Sequence, residues 1–212
     1  MLDYDAVVNF HQPPDGYRFS TDSILLAEFV RVREAESAAD FGAGCGVVGL
    51  CALEKGRCPG LKRMFFVERE PGLLACLRRN VELYRHRTAT ELVVLAADWR
   101  EMSATDFEGG LAYAMANPPY YPLGTGRTGT RPTVEAARRE LHGGLEELIA
   151  ALDRTLAPAG RLALVLPARR RAELSGLLSA RGMEAGRLQM SGAAPNGQPR
   201  LMLVEAGREG RG

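Results

Sequence analysis

The stretch Asp40-Phe41-Gly42-Ala43-Gly44-Cys45-Gly46, continuing into Val47-Val48-Gly49, decides how the rest of the chain is read. Residues 37–41 are short and mostly apolar, the pattern of a buried strand, and a helix is predicted from Val47 to about Lys55. Between them the glycines fall where the backbone has to turn tightly and approach a ligand closely. In an open α/β sheet such a loop sits at the carboxyl end of its strand, where nucleotide-like ligands bind. The run from Gly44 to Gly49 also satisfies the dinucleotide fingerprint G-x-G-x-x-G, so the loop alone leaves more than one such ligand open.

Outward from this loop, strands and helices alternate. Strands are predicted over 64–67, ending in Glu68, over 92–95, ending near Asp98, and over 111–116, ending at Asn117. Pro71 suits the first turn of a helix that runs to about Tyr84. A loop rich in Gly, Thr and Pro covers 121–132, and Thr133 is expected to cap a long helix that stops at Pro158-Ala159-Gly160. A strand over 161–166, a helix from about Ala168 to Arg181, and strands near 186–191 and 200–205 complete the series. Apolar strands alternating with helices predict an α/β fold, with a seven-stranded, mostly parallel sheet and helices on both faces. No helix separates the last two strands, so the final one is expected to be antiparallel. Residues 1–34 read as a hairpin and a helix reaching about Arg33, capped by Ser20 or Thr21; 35–206 form the main domain, and 207–212 a frayed tail.

Composition excludes several classes. At 212 residues, 46% hydrophobic and 25% charged, the chain has the makings of one globular domain, and no apolar run is long enough to span a bilayer. The acidic N-terminus lacks the basic and apolar sequence of a signal peptide, so a cytoplasmic location is expected. Cys45, Cys51, Cys58 and Cys76 form no CxxC pair and are expected to be free thiols. His11, His86 and His142 show no ligand spacing, so no metal is expected. Net charge is only +1, but all basic residues except Lys55 and Lys62 are arginine, clustered near 78–87, 127–139 and 169–171. Such clusters can hold phosphates.

The chemistry is carried by Asn117-Pro118-Pro119-Tyr120 after the fourth strand. Two prolines remove two donors and stiffen the turn. An aromatic amino nitrogen is a poor nucleophile, because its lone pair is delocalised into the ring. The Asn117 side-chain oxygen and the Pro118 carbonyl are suited to accept its two N–H bonds and align the lone pair, while Tyr120 stacks on the flat target. Base–aromatic stacking contributes roughly 1–3 kcal/mol, and orientation carries much of the rest. Tyr121 is a further substrate contact, and Arg127 and Arg131 in the following loop are candidates for the nucleic-acid backbone. On the cofactor side, Asp40, Gly42, Gly44 and Gly46 form the loop. Glu68 is the expected ribose acceptor, and Asp98, with Trp99 beside it, is expected to meet an adenine amino group.

Glycines at every second position after Asp40 resemble motif I of the class I methyltransferases. With Asn117–Tyr120, they identify S-adenosylmethionine as the expected cofactor, Asn117 among its contacts. The stretches 18–26, 40–46, 117–120 and 137–140 resemble the bacterial tRNA N6-adenine methyltransferases that act at position 37, beside the anticodon. The resemblance implies a Rossmann-like fold, an RNA substrate bound by a monomer, and Thr21 and Asp22 as cofactor contacts. Three other readings compete: a glutamine N5-methyltransferase acting on release factors, a nicotinamide oxidoreductase, and an inactive methyltransferase-like scaffold.

Overall fold

Side chains alternate between two cores along the strands, and that alternation sets the architecture. In β2 (Arg63–Glu68), Met64 and Phe66 enter one apolar cluster while Phe65 and Val67 enter the other. The computed structural model describes residues 10–14, 19–33, 35–118, 144–193, 197 and 199–208. The remaining strands are β1 (Ser37–Phe41), β3 (Glu91–Ala96), β4 (Leu111–Ala116), β5 (Leu156–Pro167), β6 (Met183–Ala193) and β7 (Pro199–Arg208). They form one seven-stranded sheet in the order β3-β2-β1-β4-β5-β7-β6. Only β7 runs antiparallel to its neighbours. This is the mostly parallel sheet, antiparallel at its last strand, that the alternation predicts.

Helices cover both faces. One core gathers α1 (Thr21–Phe29), α2 (Val47–Glu54) and α3 (Pro71–Tyr84). The other gathers α4 (Leu145–Thr155), α5 (Arg171–Ser179) and a 3-10 turn at Ala104–Phe107. Phe66 and Leu77 on the first side, and Leu152 and Leu162 on the second, are fully buried. Each such side chain contributes about 1.5–3 kcal/mol of transfer free energy.

The order places the switch point between β1 and β4, whose neighbours on either side follow in opposite directions of sequence. Ligands in this architecture bind outside the carboxyl ends of the strands at that point. The glycine loop after β1 and Asn117 after β4 therefore share one crevice.

Of three boundaries, the first and the last depart from expectation for a physical reason. The first helix stops at Phe29, not near Arg33, because Val30 and Val32 leave it to become buried. The Val32 amide then donates to the Arg57 carbonyl (2.9 Å). β3 ends at Ala96, two residues before Asp98. The stretch Pro158-Ala159-Gly160 does not end a helix but lies in an irregular part of β5. Leu111 pairs with Leu156 but Tyr113 with Arg161, so four residues of β5, 157–160, stand opposite one of β4, and a proline is tolerated there. A Cβ on Gly160 would stand 2.6 Å from the Leu111 carbonyl oxygen, so only glycine fits. Apart from residues 10–14, 19 and 20, the hairpin expected over 1–20 lies outside the described residues, as do the 121–132 loop and the helix start at Thr133.

Candidate active site

The glycine loop is shaped from beneath by two acids. Gly42, Gly44 and Gly46 all have positive φ (66°, 59° and 89°). Cβ positions on Gly42 and Gly44 would meet nothing within 4 Å, so the loop presents bare backbone to open space. Asp40, 1% exposed, accepts the Gly49 amide through Oδ2 (3.0 Å) and so satisfies an otherwise orphaned donor in the first turn of α2. Burial pushes the Asp40 carboxyl up to about 7; the Gly49 N–H opposes this and the nearby Glu68 adds to it. Gly49 is required by packing: a Cβ there would stand 2.6 Å from Phe66 Cε1.

Glu68, the last residue of β2, is buried and binds three backbones. Its Oε2 accepts the Gly44 amide (2.8 Å), and its Oε1 accepts those of Arg69 (2.8 Å) and Glu70 (2.9 Å). A carboxylate offers about four acceptor positions, so roughly one remains for a ribose hydroxyl. Glu70 instead caps α3, accepting the Leu73 amide (2.6 Å).

Asp98 departs from its expected role. Its carboxylate accepts Arg69 Nη1 (2.6 Å) and the backbone amide and guanidinium of Arg100 (2.5–3.1 Å). These bonds, led by those from Arg100, hold it down at about 2. Both oxygens are filled, because Arg100 folds back in the 3-10 turn that Asp98 caps, so no acceptor is left for an adenine amino group. Trp99, in the same turn, packs into the second core beside the residues of β2.

Asn117 emerges from β4 with its amide nitrogen donating to Ser23 Oγ (2.9 Å). Ser23 is buried on α1, next to Thr21, which is exposed, and Asp22, which is half-buried. An amide held by its nitrogen has its oxygen on the opposite edge. Pro118 is half-buried; Tyr120, Tyr121, Arg127 and Arg131 lie outside the described residues. Ser23 carried no signal beyond a hydroxyl on an apolar helix. Asn80 escaped notice too. Its Nδ2 donates to the Cys45 carbonyl (2.9 Å) and the His11 carbonyl (3.0 Å), and its Oδ1 accepts the His11 amide (2.8 Å). A readable sign existed: Asn80 interrupts the buried stripe Leu73, Leu77, Val81, Tyr84 of α3, and asparagine is a poor residue for a helix interior.

Comparison with known proteins agrees with this geometry. A family model described as lysine methyltransferase matches residues 24–113. The chain is 29% identical over 160 residues to a tRNA1(Val) (adenine(37)-N6)-methyltransferase of Aeromonas salmonicida, covering 74% of this chain and 64% of that one. It is 31% identical over 163 residues to the protein of that name from Aeromonas hydrophila, with the same two coverages. The chain thus spans a little under two thirds of the length of these two relatives. A solved structure described as a putative RNA methyltransferase from Pyrococcus horikoshii superposes with a TM-score of 0.66 at 14% identity, covering 96% of this chain and 95% of that one. The fold is that of the Rossmann-like methyltransferases, and the chain is similar in sequence to methyltransferases over 74% of its length. S-adenosylmethionine is the cofactor that this similarity implies, and the residues of the site fit that group. The bare backbone of Gly42 and Gly44 leaves room for a large ligand, and the acids Asp40 and Glu68 suit a cation carrying ribose hydroxyls. Among the described residues no group of three or more His, Cys, Asp or Glu is placed to hold a metal ion, and no helix is long and apolar enough to cross a membrane.

Proposed function

We propose that this methyltransferase methylates the exocyclic N6 of an adenine in RNA, with position 37 of a tRNA as its target. The observation that carries the reading is the Asn117 side chain at the switch point, its nitrogen turned to Ser23 and its oxygen to the other edge. Bound S-adenosylmethionine supplies an electrophilic methyl on a sulfonium. Asn117 Oδ1 and the Pro118 carbonyl accept the two N–H bonds of the target amino group, so that its lone pair faces the methyl. The surplus amino proton would leave along the hydrogen bonds to these two acceptors and pass to water. Asp40 and Glu68 hold the loop around the cofactor, with Gly42, Gly44, Gly46, Thr21 and Asp22 as further contacts. Asp98 serves through its grip on Arg69 and Arg100. Tyr120 stacks on the base, and Tyr121, Arg127 and Arg131 contact the RNA. A target base leaves its stack to reach such a site. Action in the cytoplasm, by a monomer, completes this reading; the similarity to tRNA methyltransferases supports the location.

A protein side-chain nitrogen is the second reading, raised by the family model described as lysine methyltransferase. That match ends at Tyr113, before Asn117, so it bears on the cofactor half of the domain and not on the acceptor. Purified protein offered tRNA and a release factor with labelled cofactor separates the two. Label in tRNA N6-methyladenosine, lost in Asn117→Ala while S-adenosylhomocysteine still binds, is the expected result. Label in protein alone, or an unaffected Asn117→Ala rate, overturns the proposal.

A further inference from the structure

The strand register places a group of arginines on the same rim as Asn117. Ala116 of β4 pairs with Leu164 of β5, so Asn117 stands level with Val165. Two residues past Leu166, β5 gives way to the 3-10 turn Ala168–Arg170, which carries Arg169 and Arg170, and Arg171 opens α5. Pro167 pairs with Leu201 of β7, which puts Arg200 one step further out, against that turn. Alternation confirms the side: Met202 and Val204 enter the core that α5 covers, and Arg200 shares their parity. Ser191 of β6 pairs with Leu201 on the other flank of β7.

The charges here are unspent. Arg169, Arg171 and Arg200 are exposed and make no ion pair among the described residues; only Arg170 is paired, with Glu173 (2.6 Å). Several guanidinium groups elsewhere are engaged by carboxylates, Arg63 by Glu91 and Glu108, Arg87 by Glu54, Arg161 and Arg187 by Glu205, while Arg31 and Arg33 before β1 are exposed and, like the rim arginines, make no ion pair among the described residues. Neither 164–172 nor 188–204 contains an acid, in a chain whose net charge is only +1. From β4 to β6 the rim crosses three strand spacings, about 14 Å at ~4.8 Å each. A stacked strand rises about 3.4 Å per nucleotide, so the rim matches roughly four nucleotides.

We infer that Arg169, Arg171 and Arg200 form a docking rim for the RNA sugar-phosphate backbone, holding the strand on the β5–β7–β6 side while its target base enters beside Asn117. This rests on the RNA reading above and adds where the RNA lies. The partner is a polyanion recognised by spacing and charge, with no base contact, since guanidinium groups at the rim meet phosphates bidentately.

The test is equilibrium binding of an in vitro transcribed valine tRNA across a salt series, for wild type, Arg169→Gln/Arg171→Gln/Arg200→Gln, and the control Arg31→Gln/Arg33→Gln. The control residues are exposed and precede β1, on the side where the parallel strands begin and not where they end. Each lost phosphate contact lowers the slope of log K against log salt by about 0.7–0.9. The triple variant is expected to lose a slope of about 2 and at least tenfold in affinity at moderate salt, with KM for tRNA raised and kcat and S-adenosylhomocysteine binding unchanged. The control is expected to bind as wild type. Wild-type binding with an unchanged slope in the triple variant, or an equal loss in the control, overturns the rim and leaves the RNA reading standing. No wild-type binding to RNA overturns both.

Discussion

Two alanine substitutions, chemically identical, are expected to move stability in opposite directions. Gly49 and Gly176 both lie inside helices, and neither has a positive φ. Helix propensity alone favours alanine at each by up to about 1 kcal/mol. At Gly176 a Cβ meets nothing within 4 Å, so Gly176→Ala should keep most of that gain. At Gly49 the new Cβ stands 2.6 Å from Phe66 Cε1 and 3.1 Å from Cζ. Phe66 is fully buried on β2, which is paired on both sides, and cannot swing aside. Overpacking of this kind costs about 1–3 kcal/mol, which outweighs propensity. Any retreat of α2 also lengthens the 3.0 Å bond from the Gly49 amide to Asp40. For a domain of this size 1 kcal/mol corresponds to about 2–4 °C in Tm. Gly176→Ala should therefore raise Tm by about 1–4 °C, and Gly49→Ala should lower it by about 2–6 °C and weaken S-adenosylhomocysteine binding. Thermal denaturation followed by circular dichroism reads both. A Gly49→Ala protein as stable as Gly176→Ala would refute the close-packing argument.

Three other outcomes follow from the site. The Asp40 carboxyl is raised from 3.8 to about 7, so its contribution is fully present below about pH 4 and is lost as pH rises through 7. Urea midpoints of wild type should fall relative to Asp40→Asn over that window, and parallel profiles would contradict the assignment. Ser23 and Asn117 share a part-buried hydrogen bond, so the stabilities of Ser23→Ala, Asn117→Ala and the double variant should reveal a coupling of about 1 kcal/mol; additivity within ~0.3 kcal/mol would show that the pair does not interact. Burial pushes the thiols of Cys45, Cys51 and Cys58 up to about 12, while Cys76 is half-exposed. A thiol reagent on the native protein should titrate one group quickly, and three or more fast groups would count against the buried placement.

Local pattern made the sheet legible. A buried strand announces itself by apolar run and period, and the glycine loop by residues whose missing Cβ no other residue supplies. Asn117 was visible because prolines after a strand are rare without purpose. What the sequence concealed is where each polar group finds its partner. Asp98 reads as an open acceptor until Arg100 turns back on it, and nothing local tells that Glu68 also holds three amides. Ser23 and Asn117 stand 94 positions apart, and a hydrogen bond of that span leaves no trace in either neighbourhood. The irregular stretch at 157–160 was misread for the same reason: Pro158 marks a turn locally, yet the pairing of Leu111 with Leu156 carries the strand past it.

Asn80 gives the molecule a built-in messenger. One amide touches both the peptide unit at His11 and the carbonyl of Cys45, so the chain ahead of the first helix and the loop that receives the cofactor answer to the same side chain. Linkage is reciprocal: whatever order the seated N-terminal segment lends to ligand binding, the ligand returns to that segment in equal measure. If a ligand orders the loop at Cys45, the segment at His11, remote in sequence from every glycine there, is held by the same side chain and would be ordered with it.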